Sequence, residues 1–177
     1  MKFVIPALAA VLLLLLGAKC MGVHKNLVAE RQNVGAKWTD VESALQGRAA
    51  LVSDLAQTVA DRAPSESEAI SRVNQACQAL HTAHGQREAI QANMRLDDAL
   101  SRLMLAIENH PRLENSKEYA EMLEALKDAE YQIAVARRKY NEAVEHYNAR
   151  LQLFPDNIVA SLSRLRKIDA YFQTSAI

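Results

Sequence analysis

The stretch Ile133-Ala134-Val135-Ala136-Arg137-Arg138-Lys139-Tyr140-Asn141-Glu142-Ala143-Val144-Glu145-His146-Tyr147-Asn148-Ala149-Arg150 decides the fold. A Tyr-Asn pair occurs in it twice, seven residues apart, so Tyr140 and Tyr147 recur on one helix face with Val144 between them. No Gly or Pro interrupts it, and its filling of Ala and charged residues has high helix propensity. A helix this regular is built to pack lengthwise against other helices. The stretch holds no nucleophile-base pair, no phosphate loop and no full set of metal ligands.

Outward from this segment the apolar spacing stays helical. Toward the N-terminus Val34, Trp38, Val41, Leu45, Val52, Leu55 and Val59 step by four and three, a heptad seam interrupted only at Arg48. That helix is expected to run from near His24 to Arg62 and to end at Pro64. Ser65-Glu66-Ser67-Glu68 reads as a capping box for a second helix ending at Pro111, with a kink or local disorder expected around Gly85. A third helix opens near Asn115-Ser116-Lys117-Glu118 and runs to about Phe154. After the turn at Pro155-Asp156-Asn157, a shorter fourth is expected through Ile158, Leu162, Leu165 and Ile168. The expected fold class is therefore all-α: an antiparallel bundle of three long helices and one shorter helix over 24–177, preceded by an N-terminal transmembrane helix.

Composition agrees with helices and excludes other classes. The chain has only five Gly and four Pro among 177 residues, and aromatics make up 5%, too few turn signals for a β-sandwich or barrel. Lys plus Arg equals Asp plus Glu at 21 each, and the absence of a net basic excess argues against nucleic acid as a partner. Cys20 and Cys77 make no disulfide framework; Cys77 reads as a small buried residue in a helix.

Phe3 to Ala18 carries no charge and follows only Met1-Lys2. Its sixteen residues reach about 24 Å as helix. Continuing through Lys19, which can snorkel, to Val23 makes the reach adequate for a bilayer. Residues 3–23 are thus expected to be a retained single-pass anchor. A cleaved signal peptide and a lipoprotein signal stay open beside it, although Lys19 stands where the latter wants a small residue before Cys20. The short n-region begun by Lys2 favours a domain on the outer, periplasmic or extracytoplasmic, side of the cytoplasmic membrane.

Three blocks of residues resemble the LemA family of bacterial proteins: Asn26-Leu27-Val28 with Arg31 to Val34, Trp38 and Val41; Leu103 to Leu113; and Glu130 to Arg150, closed by Phe154-Pro155. The resemblance extends from Asn26 to about Leu162. It implies a membrane segment followed by an all-α bundle and points to no enzymatic reaction, the family's molecular role being unsettled; some relatives are linked to magnetosome membranes, and no cofactor is assigned. The chain departs from the family pattern in the first helix, with Gln46-Gly47 before Arg48, Ala50 for an acid and Ser53-Asp54 for Pro-Asn. His110 stands where an aromatic is usual before Pro111.

Arg48 is the sharpest anomaly of the seam. A buried guanidinium needs a carboxylate partner, and Glu130, near the seam of the third helix, is the candidate. The alternative is that the seam drifts and Arg48 lies on the rim. Tyr140, Asn141, Tyr147 and Asn148 either form an interaction face or pack internally, with the amides bonding across helices. Trp38, Tyr140 and Tyr147 are expected in the core, and Arg137 and Arg138 as exposed polar contacts. His81 and His84 share a helical spacing, but further metal ligands and Glu-x-x-His repeats are absent, so no metal site is assigned. The functional expectation is a membrane-anchored, non-catalytic scaffold or interaction module of the cell envelope, with the membrane and unknown proteins, its own copies included, as partners. The alternative is a small-ligand or metal-binding sensor with a pocket between helices near His81 and His84.

Overall fold

A computed structural model describes the backbone of residues 4–172 and the side chains of residues 17–172. Six α-helices and a short 3-10 turn make up the described chain: α1 Val4–Arg62, the turn Pro64–Glu66, α2 Ser67–His81, α3 Gln86–Glu108, α4 Pro111–Glu114, α5 Lys117–Arg150 and α6 Asp156–Leu162. No strand occurs among the described residues. The protein is all-helical, as the 3.6-residue period required. Among the described residues no helix is long and apolar enough to cross a membrane. The anchor expected over 3–23 falls largely outside the described side chains.

The chain divides into two compact units. The first comprises the described residues up to Lys37 together with Tyr140–Tyr171, and the second comprises Trp38–Lys139 with Phe172. In the first unit, Leu27 and Val34 of α1, Tyr140, Val144 and Tyr147 of α5, and Val159 and Ala160 of α6 are buried. In the second, Val41, Leu45, Val52, Leu55 and Val59 of α1 form the buried seam. It is joined by Val73 and Leu80 of α2, Leu96, Leu103 and Ile107 of α3, and Leu126 and Ile133 of α5.

The expected second helix is two helices. Gly85, at φ +86°, opens α3 after the break at residues 82–85, a conformation that glycine reaches without the Cβ penalty. The capping box expected at Ser65 is not made: Pro64–Glu66 is a 3-10 turn, and α2 starts at Ser67 with no side-chain cap. The start of α5 follows the expectation more closely. Ser116 Oγ accepts the Tyr119 N–H at 3.2 Å, satisfying one orphan donor of the first turn.

The fourth helix stops six residues earlier than Ile168, at Leu162. Leu165 N–H donates to Ala160 C=O at 2.9 Å and Arg164 N–H to Ser161 C=O at 3.3 Å, with Arg164 at φ +54°. This is a Schellman ending, normally marked by glycine. Arg164 fills that position instead, so the sequence carries no stop signal there. Residues 163–172 leave α6 without helical structure.

Candidate functional site

In the second unit the interruption at Arg48 becomes a buried charge network. Arg48 is 4% exposed, because its heptad position faces the seam rather than the rim. Its Nη1 donates to Asp97 Oδ1 at 2.6 Å and to Asn93 Oδ1 at 3.3 Å. Its Nε lies 2.6 Å from Glu130 Oε1, in charge contact without hydrogen-bond alignment. Asn93 completes the network by donating from Nδ2 to Asp97 Oδ2 at 3.2 Å. Both carboxylates keep about half of their side-chain surface, 48% for Asp97 and 51% for Glu130. They therefore remain hydrated on one side while holding the cation on the other, which lowers the desolvation cost of the pair.

Arg137 belongs to the same neighbourhood. Burial pulls its pKa down, the charges of Asp97 and Glu130 pull it back up, and Arg48 opposes them. Its guanidinium sits 4.9 Å from the centre of the Phe172 ring. Phe172 in turn stacks on Trp38 with ring centres 5.9 Å apart and planes 18° from parallel. Arg137 is thus not the exposed contact the sequence suggested: an aromatic face from the C-terminal segment covers it. Arg138, one residue on, is exposed.

His110 also finds a structural use. Its Nε2 lies 3.0 Å from Glu66 Oε1, so the departure from the family's aromatic is matched by an acidic neighbour in the 3-10 turn. Gln46, another departure, donates from Nε2 to Leu80 C=O at 3.2 Å.

In the first unit the Tyr-Asn repeat holds the chain that follows α6. Tyr147 Oη donates to Arg166 C=O at 3.2 Å and Tyr140 Oη to Ala170 C=O at 2.8 Å. Between them Asn148 bonds both sides of one peptide unit: its Nδ2 donates to Ile168 C=O at 2.8 Å, and its Oδ1 accepts Ile168 N–H at 2.9 Å. Asn148 Nδ2 also donates to Tyr171 Oη at 2.7 Å. Carbonyls 166, 168 and 170 recur with a period of two, so residues 166–170 run as an extended strap against α5. The strap satisfies its backbone through side chains instead of a sheet.

Neither half of the sequence reading of this face was complete. The tyrosines are fully buried, and their hydroxyls reach a peptide backbone. Burial pushes the Tyr140 phenol up to about 12, helped by neighbouring Tyr171, and raises Tyr147 as well, with Arg31 opposing. Asn141 is half-buried on the same helix. The strap residues Arg166, Ile168 and Ala170 were missed because they contribute main-chain groups, which leave no trace in residue identity.

Two more contacts tie α6 into the first unit. Arg150 donates from Nε and Nη2 to Asp156 Oδ2 at 2.9 and 2.7 Å, while its Nη1 is 3.5 Å from Glu30 Oε1. The Asp156 bond raises the Arg150 pKa above its already high value. Ser163 Oγ and His24 Nδ1 are hydrogen-bonded at 3.0 Å.

The groove between α2 and α3 is lined by Arg72, Gln75, Ala76, Arg95, Asp98 and Arg102. His81 and His84 are not part of it; both are exposed beside the α2–α3 break. Among the described residues no group of three or more His, Cys, Asp or Glu is placed to hold a metal ion.

Helices without strands among the described residues define the class: an all-α protein. A sequence model of the LemA family matches residues 37–176, and the chain belongs to the LemA family. The match begins later than Asn26 and reaches further than Leu162, so it takes in the strap.

Among curated proteins the chain is similar to magnetosome protein MamQ 2 and magnetosome protein MamQ 1 of Paramagnetospirillum magneticum. It is 33% identical to each over 76 residues, covering 43% of this chain and 28% of the relative. It is also 27% identical over 79 residues to magnetosome protein MamQ of Magnetospirillum gryphiswaldense, covering 45% of this chain and 29% of that one. The matched segment thus spans less than a third of the length of these relatives.

Proposed function

We propose that the chain is a membrane-anchored, non-catalytic helical scaffold of the bacterial cell envelope, held by residues 3–23 and presenting its helices to protein partners or to its own copies. One observation carries the non-catalytic part. The buried polar residues among those described are Arg48, Asn93, Asn148 and Asp156, and each is engaged by its own chain. A reacting group needs unspent hydrogen-bonding or charge capacity facing a cleft. Here most of that capacity goes into holding helices and the strap; the buried Arg137 Nε, which has no hydrogen-bond partner, belongs to a guanidinium lying against the Phe172 ring.

The anchor is supported by the uncharged run from Phe3 to Ala18 and by α1, which starts at Val4 and continues without a break to Arg62. Kinship with proteins named for the magnetosome supports membrane association. Alkaline carbonate washing of membranes carrying the full-length chain tests the anchor. Retention is expected, and release into the wash would overturn it. Crosslinking in those membranes tests the scaffold. Adducts with defined partners or with a second copy are expected, whereas an unreacted monomer at every reactive surface would defeat the reading.

A further inference from the structure

We propose that the outer face of α6, with the basic chain that follows it, makes a second contact with the bilayer by lying in the headgroup region of an anionic membrane. The inference rests on the anchor at 3–23 and adds to it a surface that the anchor alone does not require.

Nine large apolar side chains are exposed among the described residues, and five of them belong to the two ends that meet here: Met21, Leu153, Phe154, Ile158 and Leu162. Phe154 and Leu162 are 80% and 81% exposed, values unusual for side chains of this size in a folded unit. Ile158 and Leu162 lie four apart on the exposed side of α6, with Phe154 in the turn just before it, while Val159 and Ala160 fill the buried side of the helix. α6 therefore sets two large apolar side chains beside Asn157 and Ser161 on its exposed side, a mixed face that a lipid headgroup boundary accepts.

Depth follows from the contacts within the unit. The Ser163–His24 hydrogen bond sets the end of α6 against α1 one residue beyond Val23, where the apolar N-terminal run gives out. Arg150 fixes the start of α6 by bridging Asp156 to Glu30 of α1. An anchor ending near Val23 therefore brings the end of α6 to the membrane surface and keeps its start, level with Glu30, within about 10 Å of it.

Charge points to the same occupant. Lys19 and Lys25 on α1, and Arg164, Arg166 and Lys167 after α6, are all exposed. The acids nearest in sequence are Asp156 and Glu30, both held by Arg150, and Asp169, exposed on the strap. Exposed aromatic and aliphatic groups beside basic ones suit an anionic lipid surface, where each cation is attracted and the apolar groups enter the headgroup boundary.

The test uses the full chain with Cys20→Ser and Cys77→Ala, reconstituted in phosphatidylcholine vesicles with and without phosphatidylglycerol. A fluorescent label is placed singly at Leu12→Cys, Phe154→Cys, Leu162→Cys or Lys117→Cys, and lipids quenching at stated depths are added. Quenching is expected deep in the bilayer at residue 12 and near the headgroups at 154 and 162, with none at 117. Omitting phosphatidylglycerol, or introducing Arg166→Gln with Lys167→Gln, is expected to reduce the signal at 154 and 162 and leave residue 12 unchanged. Quenching at residue 12 alone would overturn the α6 contact while the anchor stands. Its absence at residue 12 as well would remove the anchor beneath it. Labels at 154 and 162 shielded from water yet untouched by lipid quenchers, with crosslinks between copies, would assign the face to a second copy and overturn the lipid contact.

Discussion

Around Arg48 a full charge is buried and held by two half-exposed carboxylates. Around Asn148 a neutral amide and two phenols hold an extended peptide. The first arrangement draws its strength from Coulomb attraction in a poorly hydrated place, and it fails badly if one partner goes. The second depends on several ordinary hydrogen bonds, each modest, and should fail by degrees. The charge network joins side chains of α1, α3 and α5, whereas the clamp joins a helix to a main chain that has no helix of its own. Stabilising power and legibility from sequence differ accordingly.

The largest separation between the two should come from Arg48→Ala, expected to cost about 3–5 kcal/mol in chemical unfolding, as for a broken buried ion pair. Arg48→Met should lose clearly less, since Asp97 and Glu130 can hydrate and the stem volume is kept. If alanine and methionine cost the same, the network is packing rather than charge. The Arg48→Glu, Glu130→Arg double variant sharpens this: recovery beyond additivity is expected, and strictly additive losses would remove the pairing.

On the other side, Asn148→Ala removes both bonds to Ile168 and should cost about 1–3 kcal/mol, with the freed amide of Ile168 exchanging faster in deuterium. Unchanged exchange there would mean that the strap is held by its termini and not by the amide.

Alkaline pH acts on the clamp through Tyr140. Its folded-state pKa is raised, so the folded chain holds the phenolic proton more tightly than the unfolded one. That contribution is whole below pH 10.0 and is lost as pH climbs toward about 12. A stability-versus-pH curve should bend downward in that window, and Tyr140→Phe should flatten it. Equal bending in both chains would place the effect elsewhere.

Smaller again, Tyr147→Phe deletes one hydroxyl bond to Arg166 and should cost about 1 kcal/mol. At the smallest end, Arg164→Gly relieves a non-glycine left-handed residue and should raise stability by about 0.5–1 kcal/mol in thermal unfolding. A loss instead would show that the Arg164 side chain contributes more than its backbone costs.

Part of the charge network was legible ahead of the structure, with a rim position for Arg48 still open. A polar break in an otherwise regular heptad flagged Arg48, and depth along the helices suggested Glu130. Asp97 and Asn93 could not be chosen among the many polar residues of α3, because the phase of that helix depended on the break at Gly85. The strap lay beyond such reasoning. Leu165 and Ile168 continue the helical spacing of α6, and the left-handed ending at Arg164 uses a residue that carries no stop signal.

Residue order alone determined that this protein is helical, where its apolar stripes lie, and that residues 3–18 avoid charge. These are local matters, set by period, propensity and hydration of side chains. Tertiary structure decided that Arg48 has two acidic partners, that Arg137 lies under Phe172, and that the Tyr-Asn repeat grips a backbone. Each of those depends on which groups distant in the chain arrive together, and on main-chain donors and acceptors that every residue shares.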